Sequence, residues 1–307
     1  MLKKFKYREM TWIDLESPTK EELEAVGREY NLHPIAQDEL QGPTKRAKVD
    51  VYKGFIYAVF HFPRGLLGHS TSVIERDYIE IDFIIGKDFL VTTHYELVNA
   101  LNDFSKIFET DFMLKRNHHK LHAGFVFFYI MKELYRSLEL GLGYLNDRLR
   151  LVGRGVFSGQ EKEVVKTLAE INHELLDCRW VLKHHHQLFR SLEEAGREFF
   201  GTDFQQHLSA LTNEHIRIWN MIRSNRATFL DLRETNDSLL SIKNNETVKV
   251  LMVVAFIFLP LNLIAQIFGA VQFPATISPT ADFLIMVSLM IAAVVTAFWI
   301  IKKRQWL

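Results

Sequence analysis

The chain of 307 residues contains a single cysteine, Cys178, so it can form no disulfide within itself. One thiol in a helical stretch fits a reducing compartment and is expected to be buried. The sequence also lacks a Gly-x-x-x-x-Gly-Lys-Ser/Thr loop, a Gly-x-Ser-x-Gly elbow and a Cys-x-x-Cys pair. These absences argue against ATPase and hydrolase activity. We therefore expect no enzymatic function and no organic cofactor.

Charge is missing from two long stretches near the end of the chain. Lysine and arginine together number 37, as do aspartate and glutamate, so the formal net charge is zero. Residues 250–268 and 283–301 carry none of these charges and are almost entirely apolar. An α-helix needs roughly 20 such residues to cross a bilayer. We expect two membrane spans, lipid as a partner and no nucleic-acid partner.

The charges around the two runs predict an orientation in the membrane. The connecting residues 269–282 carry only Asp282, whereas Lys243, Lys249 and the basic residues 302–304 lie at the opposite ends of the runs. Short segments that flank a span on the cytoplasmic side of the membrane are enriched in lysine and arginine. Both termini are therefore expected in the cytoplasm, with the protein in the inner (plasma) membrane of the cell.

The first 200 residues predict a mixed α and β domain. Ser17 and Pro18 are typical of a helix start, which predicts a helix over residues 18–30. A second helix is expected over residues 34–40. Residues 49–62, 72–86 and 88–95 are rich in β-branched and aromatic side chains, which predicts at least three strands. After a glycine-rich break at residues 153–159, residues 161–199 read as one long amphipathic helix.

A very long helix is expected next, because only Pro260 interrupts helix-forming residues between 204 and 267. At 1.5 Å per residue it would be about 100 Å long. Seven of ten positions at alternating three- and four-residue spacing between Leu208 and Leu239 are apolar. Such a seam needs partner helices from the same chain or from other copies. The seam therefore favours an oligomer.

The first span also has a polar stripe. Amide side chains are costly in hydrocarbon unless they face protein or water. Successive residues of an α-helix are about 100° apart around its axis, and six positions of this helix fall within a sector about 60° wide. These positions are Asn244, Val248, Leu251, Ala255, Asn262 and Gln266, with Leu259 at the border. They predict either a wet pathway or amides that bond neighbouring helices.

Residues 234–269 together with the final Lys-Lys-Arg-Gln-Trp-Leu resemble the CorA family of divalent-cation channels, as do residues 12–40 and 48–62 near the start. The resemblance implies a homopentamer with an α+β cytosolic αβα funnel domain, a long stalk helix and a two-helix transmembrane hairpin. It also implies that the first span lines the pore. The expected segments are the cytosolic domain 1–202, stalk 203–249, spans 250–268 and 283–301, external loop 269–282 and basic tail 302–307.

The family's signature is altered in this chain. Its first span ends in Gly-Met-Asn, where the asparagines form the outer ring that receives the hydrated ion. Here the corresponding residues are Gly269, Ala270 and Val271. Our hypothesis is that Asn262 and Gln266, one turn apart, form two stacked amide rings in its place. Five glutamines bonding to one another and plugging the axis is the competing outcome.

The resemblance assigns further roles. Val248, Leu251 and Leu259 match an apolar section that can gate by dewetting. Pro260 is expected to bend or loosen the helix. Asp203 resembles a position at which acidic residues of the family hold regulatory Mg²⁺, and Asp77, Glu80 and Asp82 are nearby carboxylate candidates for the same role. For all four carboxylates a solvated surface position is the preferred expectation. The run His184, His185 and His186 is also expected on a solvated face, since successive helix positions point apart.

The expected function is transport of a divalent cation, with Mg²⁺ as transported and regulatory ion. An inside-negative potential of 100 mV favours entry of a divalent ion by about 4.6 kcal/mol, so no nucleotide hydrolysis is needed. A transporter selective for Zn²⁺, Co²⁺ or Ni²⁺ is one alternative, because the signature residues have changed. A non-conducting ion-sensing membrane protein is the other.

Overall fold

The computed structural model describes residues 1–67, 77–109, 122–158, 161–270 and 279–304. It divides into two compact units, Met1–Arg233 and Glu234–Leu307. The first unit contains the sheet and the amphipathic helices, and the second contains the two apolar stretches. A single helix, Thr202–Ala270, begins in the first unit and ends in the second. The expected unbroken helix through residues 204–267 is therefore confirmed.

The described strands form one mixed sheet in the order β1-β2-β6-β5-β4-β3. Strands β2 and β6 are parallel, and the other neighbouring pairs are antiparallel. The predicted strands are confirmed among the described residues, with the difference that residues 49–62 contain two strands, β3 and β4. Strand β1 was missed because Lys4 and Lys6 occupy exposed positions that alternate with the half-buried Phe5 and Tyr7, and because it pairs on one side only. Lysine-rich edges of this kind resist pairing with other chains. The strands are Leu2–Tyr7, Met10–Glu16, Lys48–Val51, Ile56–Pro63, Tyr78–Ile85 and Phe89–His94.

The helices depart from the sequence prediction in two places. Residues 153–155, expected to break the chain, lie inside the long helix α5, and residues 161–199 form two helices that are separated at Lys183 and His184. Glycine lowers helix propensity by only about 1 kcal/mol, which packing easily offsets. The helices are α1 Lys20–Glu29, α2 Pro34–Glu39, α3 Arg64–Leu67, α4 Asn99–Glu109, α5 Ala123–Phe157, α6 Glu161–Leu182, α7 His185–Phe200, α8 Thr202–Ala270 and α9 Pro279–Lys303.

Helix α1 begins with a capping box two residues later than expected. The Glu22 backbone N–H donates to Thr19 Oγ1 at 3.3 Å, and the Thr19 N–H donates to Glu22 Oε2 at 2.9 Å. Each bond satisfies a backbone donor that the first turn leaves without a helical partner. Ser17, the predicted cap, instead has a positive φ of 44° and donates its hydroxyl to the Tyr95 carbonyl. The predicted cap was wrong.

Replacing Thr19 by alanine is expected to lower the free energy of unfolding by about 1 kcal/mol, because the N–H of Glu22 loses its acceptor. Urea unfolding followed by tryptophan fluorescence measures the change. The control is Thr19→Ser, which keeps the hydroxyl and should recover most of the loss. An equal loss in both variants would show that the methyl group, rather than the cap, carries the effect.

The sheet has a separate core on each face. On one face, residues of β2, β4, β5 and β6 pack with α1 and α2 in a cluster that includes Ile13, Tyr57 and Val91. On the other face, Phe60 lies 5.5 Å from Phe189 of α7 between ring centroids, and it also contacts Phe127 of α5. The sheet is consequently covered on both sides, in agreement with the predicted α+β class.

The histidine run does not form a solvated face. His185 is fully buried, whereas His184 and His186 are exposed. The run spans the break between α6 and α7, with His184 at the N-cap position of α7, so the expected regular helix geometry does not apply. His185 Nε2 donates to the His61 carbonyl at 2.7 Å, and the Tyr135 hydroxyl lies 2.7 Å from His185 Nδ1.

Two of the three candidate carboxylates are also buried rather than solvated. Glu80 accepts the Thr44 backbone N–H at 2.7 Å and lies 3.1 Å from His61 Nε2. Asp82 is 1 % exposed, and its two carboxylate oxygens have no hydrogen-bond partner among the described residues. Burial, reinforced by the charge of Glu80, raises the pKa of Asp82. The expectation of surface charges was wrong for both residues and correct for Asp77, which is exposed.

The apolar seam of α8 finds its partner within the same chain over its first part. From Leu208 to Phe229 every seam position is buried. Asn225 Nδ2 donates to the Leu142 carbonyl of α5 at 2.9 Å, and the Tyr135 hydroxyl of α5 lies 3.4 Å from His215 Nδ1. The seam was predicted correctly, but it gives no independent evidence for an oligomer because α5 occupies it.

Candidate ion pathway in the C-terminal unit

Two helices whose apolar parts belong to the second unit are long and apolar enough to cross a membrane. They are Phe204–Ala270, whose apolar part follows Lys249, and Phe283–Lys303. The apolar window is 0 % buried in the first helix and 11 % buried in the second. Exposed apolar surface of this extent is stable in lipid rather than in water. The two spans predicted from the charge-free runs are confirmed as candidate spans.

Each of these helices has one covered face. In α8 the covered positions fall within a sector of about 100°: Val253 is buried, and Ile257, Pro260, Leu261, Ile264 and Phe268 are partly buried. In α9 the covered positions recur every three or four residues: Met286, Val287, Met290, Ala293, Ala297, Ile300 and Ile301. Matching covered faces on two adjacent helices indicate that α8 and α9 pack against each other.

The polar stripe lies on the side of α8 opposite to this covered face. At about 100° per residue, Val253 is directly across the helix from Asn262. Every stripe position is exposed, including Asn244 and Gln266 near its two ends and the apolar Val248, Leu251 and Leu259 between them. The structure therefore places the predicted pathway residues together on one face that α9 leaves open.

The amides of this face have no partner within the described chain. The hydroxyls of the spans and their flank bond to their own helices: Thr247 Oγ1 donates to the Lys243 carbonyl at 3.0 Å and Ser288 Oγ to the Leu284 carbonyl at 2.7 Å. By contrast, neither Asn262 nor Gln266 bonds to any described residue. An unpaired amide costs several kcal/mol in hydrocarbon. These side chains need water, an ion or another copy of the chain.

The geometry of the two amides suits a stacked arrangement. Asn262 and Gln266 are four residues apart, so their Cβ atoms lie about 6 Å from each other on one face. Gly269, one turn further, is exposed, and a Cβ placed there would meet nothing within 4 Å. Nothing in the described chain obstructs this end of the stripe.

The bend at Pro260 and the roles expected for Asp203 and for the outer end of the first span stay predictions. Pro260 lies inside an uninterrupted helix on the covered face, so the bend expected there stays a prediction. Asp203 belongs to the first turn of α8 by its backbone, but its side chain lies outside the described residues, as do Val271 and the side chain of Asp282. The covered face of α9 was not predicted, although its three- and four-residue spacing was visible in the sequence.

Residues 7–303 of the chain match the family described as CorA-like Mg2+ transporter protein. The cobalt/magnesium transport protein CorA of Methanocaldococcus jannaschii is 21 % identical over 306 residues, which cover 97 % of this chain and 92 % of that protein. The protein of the same name from Thermotoga maritima is 19 % identical over 301 residues, covering 97 % of this chain and 83 % of that protein.

A solved structure is similar over nearly the whole chain. The complete structure of the CorA magnesium transporter from Methanocaldococcus jannaschii matches with a TM-score of 0.82, covering 99 % of this chain and 93 % of that one. The sequence identity in this match is 19 %, so it supports the fold. The predicted order of an N-terminal α/β domain, a long helix and two C-terminal apolar helices is confirmed.

Proposed function

This chain belongs to the family of CorA-like Mg2+ transporter proteins, and on that premise we propose that copies of it assemble around the stripe of α8 and conduct Mg²⁺ across a membrane. Members of the family are transporters of divalent metal ions rather than enzymes. The observation that carries the proposal is the pair of unpartnered amides, Asn262 and Gln266, on the open face of an otherwise apolar helix.

Neutral oxygens suit the proposed ion. Mg²⁺ demands octahedral oxygen ligands and gives up its water shell reluctantly, so a pore can pass it by hydrogen-bonding to that shell. Repeated around an axis, the amides of Asn262 and Gln266 supply two such layers of oxygen atoms. We propose five copies on the basis of the family resemblance, and we propose that both termini face the cytoplasm because basic residues flank the spans on one side. An inside-negative membrane potential then drives entry.

Uptake into liposomes tests the function. We expect purified full-length protein in liposomes that enclose a Mg²⁺-sensitive dye to give uptake that rises with an inside-negative potential and is absent from empty liposomes. A protein that is correctly inserted, yet gives no uptake of Mg²⁺, Zn²⁺, Co²⁺ or Ni²⁺, would leave the non-conducting ion sensor as the better account.

Selectivity for a transition metal is the second candidate. The replacement of the family's Gly-Met-Asn by Gly269, Ala270 and Val271 favours it, because the outer ring of oxygen atoms that receives the hydrated ion has changed. Competition in the same liposomes separates the candidates. Uptake of Mg²⁺ that persists in equimolar Zn²⁺ supports the magnesium channel, and Zn²⁺ uptake that Mg²⁺ does not inhibit supports the alternative.

The apolar part of the stripe is proposed as the gate. A ring of Leu251 side chains makes a narrow section that excludes water, so Leu251→Ser is expected to increase Mg²⁺ uptake several-fold in the same assay. The matched control is Leu263→Ser, because Leu263 is equally exposed but lies about 120° from Leu251 around the helix. Equal changes in both variants would indicate a general loss of packing and contradict the gate.

A further inference from the structure

Three potential metal ligands converge on the surface of the first unit, and none of them belongs to the polar stripe. Asp77 immediately precedes β5, while His173 and Asp177 are four residues apart on α6 and therefore share one face of that helix. One ligand atom from each residue lies within 4.8 Å of the other two. The side chains come from two separate elements, so the fold rather than local sequence brings them together.

The spacing of the ligand atoms fits an ion better than a direct bond. His173 Nε2 and Asp177 Oδ2 are 3.6 Å apart, which is too long for a hydrogen bond. Two ligands at roughly 2.1 Å from one metal ion, in tetrahedral or octahedral geometry, are about 3.0–3.4 Å apart. A small inward rotation of either side chain would therefore place both atoms on one ion.

The charges at this cluster are uncompensated. Among the described residues, neither Asp77 nor Asp177 forms an ion pair with a lysine or arginine, although the adjacent Glu174 pairs with Arg148 at 2.5 Å. Asp177 is partly buried, and one of its carboxylate oxygens lies within 4.8 Å of a carboxylate oxygen of Asp77, so the two like charges repel each other. A divalent cation would remove this repulsion.

The backbone that presents Asp77 is held by its neighbours. Its carbonyl accepts the Arg64 backbone N–H at 3.1 Å, and the next residue, Tyr78, stacks on His61 with 4.3 Å between ring centroids. Tyr78 also lies 5.9 Å from Trp180, one turn beyond Asp177 on α6. These contacts fix the start of β5 against α6, which lowers the entropic cost of gathering three ligands.

We propose that Asp77, His173 and Asp177 form a binding site for a first-row transition-metal dication such as Zn²⁺, with water completing the coordination. The imidazole nitrogen selects such ions over Mg²⁺, which prefers oxygen alone. Three protein ligands with an open position are typical of accessible zinc sites. A metal ion in this site would link β5 to α6. None of its three ligands belongs to the proposed ion pathway, so metal binding can be measured whether or not the chain conducts.

Equilibrium dialysis of the full chain in detergent against Zn²⁺ at pH 7.5 with millimolar Mg²⁺ tests the site. We expect wild-type protein to retain one more Zn²⁺ per chain than His173→Ala or Asp177→Asn. Loading with Co²⁺ should give a visible absorption band in wild type that both variants lack.

The matched control is His184→Ala, which removes another exposed histidine that has no side-chain bond at its cap position. It should bind as much Zn²⁺ as wild type does. Unchanged stoichiometry in His173→Ala, an equal loss in His184→Ala, or displacement of the extra Zn²⁺ by Mg²⁺ would each overturn the assignment. Far-ultraviolet circular dichroism checks that the variants fold, which the exposure of His173 leads us to expect.

Discussion

Mg²⁺ uptake into liposomes is expected to fall at least tenfold when Gln266 is replaced by alanine, and Asn262→Ala should have a similar effect. Each substitution removes a whole ring of amide oxygens from the proposed pathway, since every copy contributes one. A tenfold change corresponds to about 1.4 kcal/mol in the barrier, which is less than the value of a single hydrogen bond to a charged group. The loss is measured as initial uptake rate at fixed potential.

One control keeps the amide chemistry at position 266, and the other removes an amide from a different face of the same helix. Gln266→Asn retains an amide and should keep part of the flux, and Asn245→Ala removes an exposed amide that lies about 100° from Asn262 around the helix. Unchanged uptake in both Asn262→Ala and Gln266→Ala would dismiss the amide rings. Increased uptake in Gln266→Ala would instead support the alternative in which five glutamines close the axis.

The sequence predicted the C-terminal unit well because its signals are local. A run of 19 uncharged residues specifies a span wherever it occurs, and helix periodicity alone places Asn262 and Gln266 on one face. The structure adds what periodicity cannot supply, which is the side that α9 covers. Val253 and Asn262 are both in an apolar run, and only the packing of the second helix distinguishes the buried position from the exposed one.

The first unit was predicted less completely because burial of its polar residues depends on distant contacts. Asp82 and Glu80 look like surface carboxylates in the sequence, yet β5 lies in the middle of the sheet with helices on both sides. His185 was assigned to solvent from helix geometry, but its partners Tyr135 and His61 are 50 and 124 residues away. No local pattern encodes such pairings.

The partner of the α8 seam was undetermined for the same reason. Three- and four-residue spacing predicts that a helix face is buried but does not identify the surface that covers it. Here α5 covers the part between Leu208 and Phe229, with the amide of Asn225 bonded to a backbone carbonyl of α5. Evidence for several copies therefore comes from the exposed amides in the span and from the family, rather than from the seam.

The buried histidines of the first unit have defined protonation states. The His61 carbonyl can only accept, so His185 Nε2 must carry hydrogen, and in the neutral ring His185 Nδ1 accepts the Tyr135 hydroxyl. The Tyr135 oxygen can then accept from His215 Nδ1 at 3.4 Å. Protonating His185 would turn Nδ1 into a donor, so the Tyr135 hydroxyl could no longer donate to it, and a positive charge would be created in a fully buried position.

This arrangement predicts that acid destabilises the first unit. Burial lowers the pKa of His185 to about 3 and that of His215 to about 4, against 6.5 for an ordinary histidine. Above pH 6.5 neither the folded nor the unfolded chain binds protons at these sites, so the stability is fully present. Below it only the unfolded chain is protonated, and several kcal/mol should be lost between pH 6.5 and about 4.

Carboxylates also titrate toward the lower end of this range, so His185→Leu is needed to isolate the histidine. At pH 8 the variant should be less stable by about 1–3 kcal/mol, because the His61 carbonyl and the Tyr135 hydroxyl lose a partner. Between pH 6.5 and 4 its stability, measured by urea unfolding of the full chain in detergent, should fall less steeply than that of wild type. The exposed neighbour serves as control, since His184→Leu should reproduce the wild-type profile. Parallel profiles for wild type and His185→Leu would mean that His185 is not the group that resists protonation in the folded chain.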